Sequence, residues 1–260
     1  MNIKYILGTI IAIPLLPLLY FQGRRIKKRV PRLPVATGET GLCSSSSENT
    51  LRMLTIGEST IAGVGVKTHQ EGLTGVLANE LATGLNIKVD WKVYAKSGIT
   101  AKRVNDNIIN LIEEKHIDLI VIGLGGNDAF ELNTPRKWKK DVRQLINNIK
   151  VKFKEVTIVF INMPPIKEFP AFTSLIQFTI GNLAEILGEE LKRVVKDFES
   201  VYYCSSRVGY KDLIKRFNLT LEASDFYCDG VHPSKVTYQY WAKDVACFMI
   251  HSKGITKKLI

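Results

Sequence analysis

The stretch that decides the fold is Leu-Arg-Met-Leu-Thr-Ile-Gly-Glu-Ser-Thr, residues 51–60. It begins as a mostly apolar, β-prone run and changes at Gly57 to small and polar residues. Such a change is typical of a buried strand that enters a loop at its carboxyl end. An amphipathic segment follows at 70–83, so a strand–loop–helix unit is predicted at this point.

The same alternation continues over most of the 260-residue chain. Further strand-like runs lie at 87–94, 118–123, 156–162 and 200–204, and further helical patterns at 100–115, 135–153, 174–198 and 234–251. Five strands separated by helices predict an α/β fold, a three-layer α/β/α flavodoxin-like domain over residues 50–254. Its five-stranded parallel sheet should have the order 2-1-3-4-5, with ligands at the carboxyl ends of the strands.

The N-terminal segment has a different composition. Residues 5–21 carry no charge and are rich in Ile and Leu, which is about the shortest length that spans a bilayer as a helix. Pro14 and Pro17 are tolerated in such helices. No small-residue cleavage site follows the apolar run, and Cys43 lies too far along the chain to suggest lipid attachment. We therefore predict an uncleaved hydrophobic membrane anchor over residues 1–23.

The net charge of +11 is unevenly distributed. Residues 1–37 hold seven of the 36 basic residues and none of the 25 acidic ones. A nucleic-acid-binding protein would be expected to carry its basic residues on the folded part, so a membrane surface is the better partner and no nucleic acid is expected. The positive charge favours a cytoplasmic domain at a bacterial-type inner membrane, and a half-inserted anchor on anionic lipid is the alternative. Residues 24–49, basic at first and Ser-rich at the end, are predicted to be a flexible linker.

Four cysteines without a paired CxxC spacing indicate neither a disulfide scaffold nor a structural zinc site. Two of them, Cys204 and Cys228, are expected near the carboxyl edge of the sheet, where a bridge is geometrically conceivable. A cytoplasmic location predicts reduced thiols instead.

Ser59 lies just beyond the first strand. A serine there is more commonly a helix cap than a nucleophile, and the loop lacks the Lys-Ser/Thr ending of a P-loop. Gly98 follows the second strand and Asn127 the third, so the predicted strand order places them on either side of Ser59. A turn glycine and a loop cap are the simpler explanations for these two residues, although an amide side chain is a good oxyanion donor. The glycine run at 123–126 lacks the spacing of a dinucleotide-binding loop.

One of the four histidines has an acid at a suitable spacing. His232 lies in Asp229-Gly-Val-His-Pro, between the last strand and the last helix. An aspartate three residues earlier can fix the imidazole tautomer and leave the other ring nitrogen for Ser59. The others are expected at solvated surface positions: His69, His116 and His251.

Four blocks in this order resemble the SGNH/GDSL hydrolase superfamily, which is named for a catalytic Ser, Gly, Asn and His on a flavodoxin-like sheet. The blocks are Gly57-Glu58-Ser59-Thr60, Gly98, Gly125-Gly126-Asn127-Asp128 and Asp229-Gly230-Val231-His232-Pro233. The resemblance covers about residues 50–252. The family usually has Asp-Ser-Leu where this chain has Glu58-Ser59-Thr60, which leaves the subfamily and its substrate open.

The resemblance implies a serine hydrolase of the esterase or lipase type that cleaves carboxylic esters through an acyl-enzyme. Ser59, Asp229 and His232 would form the catalytic triad. The N–H groups of Ser59 and Gly98 and the amide of Asn127 would form the oxyanion hole. The same triad supports an acyltransferase that uses an alcohol or sugar acceptor, and a catalytically silent binding module is a further alternative. No metal or organic cofactor is implied.

The implied substrate is a small-molecule or lipid ester, and the oligomeric state stays open. Aromatic residues after the fourth strand can either line an acyl pocket or form the core face of a helix, and the helix face is favoured. They are Phe169, Phe172 and Phe178.

Overall fold

The computed structural model describes residues 3–260. The strands are β1 Thr40–Cys43, β2 Thr50–Gly57, β3 Lys88–Ala95, β4 Leu119–Gly123, β5 Thr157–Phe160 and β6 Val201–Tyr203. The helices are α1 Ile3–Arg29, α2 Leu73–Leu85, α3 Ala101–Asn107, α4 Gly126–Phe130, α5 Pro135–Lys152, α6 Ser174–Val194, α7 Tyr210–Phe217, α8 Lys235–His251 and α9 Lys253–Leu259.

The strands form one sheet in the order β1-β3-β2-β4-β5-β6. The neighbours from β3 to β6 pair in parallel, and β1 pairs antiparallel with β3 at the edge. Without β1 the order is the predicted 2-1-3-4-5, so the α/β class and the parallel order are confirmed. The predicted strand count of five was wrong by this one edge strand.

The additional strand lies within residues 24–49, the segment predicted to be a flexible linker. Gly41 of β1 passes directly over the indole of Trp91, where a Cβ atom would lie 2.3 Å from the ring. Only glycine permits this close approach. Ala36 and Cys43 are also buried. The folded domain therefore begins near Ala36 and not at the predicted residue 50, because Gly41 lets this segment lie against the sheet as a strand.

Helices cover both faces of the sheet. Helices α3, α5 and α6 enclose one apolar core, and α2, α8 and α9 enclose the other. The central strand β4 is buried along its whole length because it contributes to both cores. These two layers hold the carboxyl ends of β2, β3 and β4 beside one another at one edge of the sheet.

Helix α1 extends six residues beyond the predicted anchor boundary at residue 23 and continues through Pro14 and Pro17. The helix has 27 residues, and an 18-residue window of it has a mean hydropathy of 1.8, so it is long and apolar enough to cross a membrane, a property shared by anchors and signal sequences. None of its residues is fully buried. One side of the helix packs against α6, where Lys4 pairs with Glu189.

Candidate active site

Ser59 occupies a tight turn between β2 and the loop that precedes α2. The turn begins where the N–H of Glu58 donates to the carbonyl of Gly123, at 3.0 Å, and so joins the ends of β2 and β4. Gly57 makes this approach possible, because a Cβ atom there would lie 2.3 Å from the Gly123 oxygen. The N–H of Ala62 then donates to the Glu58 carbonyl at 2.9 Å, which closes the turn around Ser59.

A cavity of about 170 Å³ opens at this carboxyl edge of the sheet. Ser59 lines it from the end of β2, and Gly98 and Asn127 line it from the segments after β3 and β4. His232 lines it from the loop before α8. The structure thus brings the four residues of the sequence motifs to one cavity, and for Ser59, Gly98 and Asn127 this follows from their positions after neighbouring strands.

Asp229 lies beside His232 with its side chain fully enclosed. Its Oδ2 is 2.7 Å from His232 Nδ1, and its Oδ1 accepts the backbone N–H of Val231 at 2.9 Å and of His232 at 2.7 Å. Burial raises the pKa of Asp229, but the hydrogen bonds from the His232 side chain and from these two N–H groups outweigh it and lower the pKa below its usual value. A carboxylate in this position holds the proton on Nδ1 and leaves Nε2 as the basic nitrogen.

The Ser59 hydroxyl makes no hydrogen bond with another group in the described chain, residues 3–260. Ser59 and His232 meet only as walls of the same cavity. In serine hydrolases without substrate, the bond between nucleophile and base is often long and shortens when the substrate binds.

The backbone N–H groups of Ser59 and Gly98 are available to a ligand. Within residues 3–260, neither the N–H of Ser59 nor that of Gly98 donates to another protein group. Gly98 has φ +81°, and a Cβ atom there would meet nothing within 4 Å. The glycine is therefore required for its backbone conformation, which L side chains rarely adopt, and not for space.

Glu58 was not predicted as a site residue, although it departs from the family pattern. Its buried carboxylate accepts the backbone N–H of Gly126 at 3.0 Å and of Asn127 at 2.9 Å. It also accepts one hydrogen of the Asn127 side-chain amide, with Nδ2 at 2.5 Å, so the second amide hydrogen remains for a ligand. The available signal was an acid adjacent to Ser59 at a strand end.

The environment of Glu58 also changes its acidity. Burial, with a smaller contribution from nearby Asp128, raises its pKa to about 7 against the effect of the three N–H donors. Gly126 allows the carboxylate to approach so closely, because a Cβ atom there would lie 2.8 Å from Oε1. Glu58 thereby fixes the position of the Asn127 amide relative to Ser59.

Asp128 performs a similar positioning role between β3 and β4. It is completely buried and accepts the N–H of Ala101 at 3.0 Å and the side-chain amide of Asn133 at 2.7 Å. Burial raises its pKa to about 6. Since Ala101 begins the helix just after Gly98, Asp128 ties the Gly98 loop to the segment that carries Asn127.

One prediction about the remaining histidines was wrong. His116 and His251 are exposed, but His69 is buried. Its N–H donates to the carbonyl of Thr37, because residues 36–37 fold over the loop that follows Ser59. Residues 36–37 lie in the segment that was predicted to be a linker, so no cover for His69 was expected.

The aromatic residues after β5 divide between two environments. Phe169 is buried and lines the cavity, contrary to the preference for a helix face. Phe172 packs against Phe169 and Phe130, with ring centroids 5.4 Å apart in both pairs. Phe178 is exposed on α6.

No metal site or disulfide is formed among the described residues 3–260. No group of three or more His, Cys, Asp or Glu side chains there has the geometry to hold a metal ion. Cys204 is a buried thiol beside Asn162, whereas Cys228 is an exposed thiol whose sulfur lies 3.3 Å from the carbonyl of His232.

The described fold and site agree with one known family. The family model for GDSL-like lipases and acylhydrolases matches residues 55–240. The chain belongs to this family, whose members are hydrolases of the esterase and lipase type. The predicted membership of this family is thereby confirmed. No curated protein sequence matches the chain significantly.

Solved structures show the same fold at low sequence identity. The family 3 carbohydrate esterase of Clostridium thermocellum has a TM-score of 0.57 and 17% identity, over 76% of this chain and 94% of that one. A putative GDSL-like lipase of Parabacteroides merdae has a TM-score of 0.58 and 16% identity, over 78% and 96%. A lipolytic G-D-S-L protein of Veillonella parvula has a TM-score of 0.56 and 15% identity, over 75% and 96%.

Proposed function

We propose that this protein is a membrane-attached serine esterase that cleaves carboxylic ester bonds through an acyl-enzyme on Ser59. The observation that carries the proposal is the shared cavity. Ser59, the unpaired N–H of Gly98, the Asn127 amide and the Asp229-paired His232 all face it.

In the first step Ser59 Oγ attacks the ester carbonyl. His232 Nε2 accepts the hydroxyl proton and passes it to the leaving alcohol. Asp229 keeps the proton on Nδ1 and stabilises the imidazolium that forms, since its carboxylate accepts from Nδ1 at 2.7 Å. Water then attacks the acyl-enzyme with His232 again as the base, which releases the carboxylic acid and restores Ser59.

The negative charge on the tetrahedral oxygen requires donors that are already in place. The N–H groups of Ser59 and Gly98 and the second amide hydrogen of Asn127 supply three. Glu58 holds Asn127 through both its backbone and its side chain, so the amide does not have to reorient during the reaction.

An apolar wall on one side of the cavity is suited to the acyl part of an ester. Its members lie after β5 and on the loop of His232: Pro164, Ile166, Phe169, Tyr227 and Val231. Such a surface binds hydrocarbon by removing it from water and leaves the ester carbonyl to the polar side. The same acyl-enzyme can pass its acyl group to an alcohol instead of water, so the assay includes an acceptor alcohol.

Membrane attachment is proposed for α1, which is uncharged from Tyr5 to Phe21 and is followed by a basic segment. The positive charge favours a cytoplasmic position of the domain.

Replacement of Ser59 by Ala tests the nucleophile. We expect turnover of a short-chain nitrophenyl ester to fall by at least roughly 10⁴-fold with an unchanged melting temperature, because the hydroxyl is the attacking group. A fluorophosphonate should label the wild type at Ser59 only. Ser205→Ala is the matched control, since this exposed serine does not line the cavity. Substantial activity in Ser59→Ala would disprove the assignment.

A further inference from the structure

Helix α1 has one face that contacts the domain. Tyr5, Leu19 and Ile26 pack against the core beside α6. The half-buried residues of α1 recur every three or four positions, which is one face of a helix. They include Tyr5, Thr9, Ala12, Leu15, Leu19, Gln22 and Ile26.

Both ends of this face are joined to α6 by polar contacts. Near the N-terminus of α1, Lys4 Nζ donates to Glu189 Oε1 at 2.7 Å. Near its C-terminus, Gln22 Oε1 accepts from Thr173 Oγ1 at 2.6 Å. Glu189 lies in the second half of α6 and Thr173 caps its start, so α1 runs antiparallel along the length of α6.

The opposite face of α1 is apolar and exposed. Ile3, Ile10 and Phe21 are each more than 60% exposed, and other large apolar residues continue the same surface. Leu132 and Phe178 of the domain are also exposed and line a groove of about 440 Å³ along the seam between α1 and α6. A continuous apolar surface of this kind is unusual for a monomer in water and marks a site of contact.

The basic residues next to the exposed apolar face of α1 indicate which partner binds this face. Residues 24–32 hold six basic side chains, and no acidic residue occurs before Glu39. An apolar helix face that ends in a basic cluster is suited to the interface of an anionic membrane, where hydrocarbon meets negative head groups. Lipid chains would also fill the groove between α1 and α6.

In its docked position α1 does not cross the bilayer. The part of α6 beside it carries Glu185 and Glu189, which border the same groove, and the Lys4–Glu189 pair would have to enter the hydrocarbon. Charged groups at that depth are costly. We propose that α1 remains docked on α6 and lies in the plane of an anionic membrane, so that the hydrolase rests on the bilayer surface.

This placement brings the catalytic cavity to the membrane. Thr173, which contacts Gln22, directly follows Phe172. The ring of Phe172 packs against Phe130 and Phe169, which both line the cavity. Two residues before Thr173, the N–H of Ala171 donates to the Gly230 carbonyl in the loop of His232, at 3.1 Å. The substrate class is therefore an ester of an amphiphile held in the bilayer, an assignment that rests on the proposed esterase function.

The test locates the N-terminal end of α1 on a membrane. Full-length protein with Asn2→Cys, a position that precedes the apolar helix face, is added to preformed vesicles of phosphatidylcholine with phosphatidylglycerol and treated with a membrane-impermeant maleimide. Label at residue 2 is measured by peptide mass mapping before and after detergent. We expect equal labelling in both, because an in-plane helix keeps the charged N-terminal end of the chain in water on the outer side. Labelling that appears only after detergent would show a spanning helix and overturn the proposal.

Charge variants test the head-group contact. Lys27→Gln with Lys28→Gln should reduce binding to anionic vesicles by about tenfold to thirtyfold and leave the weaker binding to pure phosphatidylcholine unchanged. Lys253→Gln with Lys257→Gln is the matched control on the opposite layer of the sheet and should have no effect. Equal losses in the two pairs would contradict the assigned face.

Turnover of a soluble nitrophenyl ester is measured on the same samples. Failure of the esterase assignment appears as absent turnover in all variants, whereas failure of the in-plane geometry leaves that turnover intact. Absence of binding to either kind of vesicle would overturn both the membrane attachment and the in-plane arrangement.

Discussion

The two halves of the candidate site are built in different ways. Ser59, Gly98 and Asn127 follow three neighbouring strands, and the buried acids Glu58 and Asp128 join them across the sheet edge. Asp229 and His232 lie on a single loop instead. That loop is held by its own contacts, including the N–H of Cys228 on the His232 carbonyl at 3.0 Å and a β-bridge between Tyr227 and Pro233.

The two halves should therefore differ in how a mutation affects stability and catalysis. Contacts in the nucleophile half, which carries the proposed nucleophile Ser59 with Gly98 and Asn127, connect strands, so a change there alters the folded state as well as the chemistry. Contacts in the base half, which carries the proposed base His232 and Asp229, are local, with the Ala171–Gly230 hydrogen bond as a link to the rest of the domain. A change there should affect activity while the free energy of unfolding stays nearly constant.

The largest effect after loss of the nucleophile is expected from Asp229→Asn. The amide keeps the shape but donates toward Nδ1 and so favours the wrong imidazole tautomer, which should reduce kcat roughly 10⁴-fold. Steady-state kinetics and thermal unfolding measure the two sides of the comparison. A drop in kcat below tenfold, or a large loss of stability, would show that the two halves do not differ as described.

Asn127→Ala should have the next largest effect. Loss of an oxyanion donor lowers kcat by about 10²–10³-fold with little change in KM, because the contact forms mainly in the transition state. Asn147→Ala, on the exposed side of α5, is the control and should match the wild type. A rise in KM alone would make Asn127 a substrate-binding residue.

Glu58→Gln should change how stability depends on pH. The pKa of Glu58 is about 7 in the folded protein against a usual value of 4.5, so the native state binds more protons between these values. The free energy of unfolding of the wild type therefore falls as pH rises from 4.5 to 7, by on the order of 3 kcal/mol from this group.

The glutamine variant does not titrate at this position and should lack that part of the slope. Denaturant unfolding of both proteins at several pH values between 4.5 and 8 measures it. Identical slopes would contradict the raised pKa of Glu58.

The smallest effect on activity is expected from removal of residues 1–33, which lie in neither half. This variant should hydrolyse a soluble ester at the wild-type rate. Removal of residues 1–49 also deletes β1 and the contact of Ala36 N–H with the Ala62 carbonyl, at 3.0 Å, which supports the nucleophile turn. A lower melting temperature in the longer deletion alone, measured by circular dichroism, would confirm where the domain begins.

The sequence predicted the parts of the structure that depend on repeating patterns. The apolar strands and their order followed from alternation, and that order placed Ser59, Gly98 and Asn127 together. It did not predict β1, whose four residues are too few for a pattern and include a glycine that packs on Trp91. The helices α4 and α7 were not predicted either, because they are also too short to show a clear pattern.

The functions of some side chains could not be derived from position alone. Glu58 reaches its three N–H donors only because Gly126 lies opposite it, a relation between residues 68 positions apart. The packing of α1 against α6 could not be predicted, because apolar residues occur on all sides of this helix and the sequence pattern does not distinguish the face that contacts α6.

The closed loop from Tyr227 to Pro233 has a consequence for protein engineering. Because the acid, the base and the contacts that orient them lie within seven consecutive residues, this segment is a transplantable unit. A graft into another protein would need a β-bridge at its two ends, a hydrogen-bond donor for the Gly230 carbonyl in place of Ala171, and a serine that faces His232 Nε2. The nucleophile half offers no such unit, since its donors come from three strands and can be moved only together with the sheet.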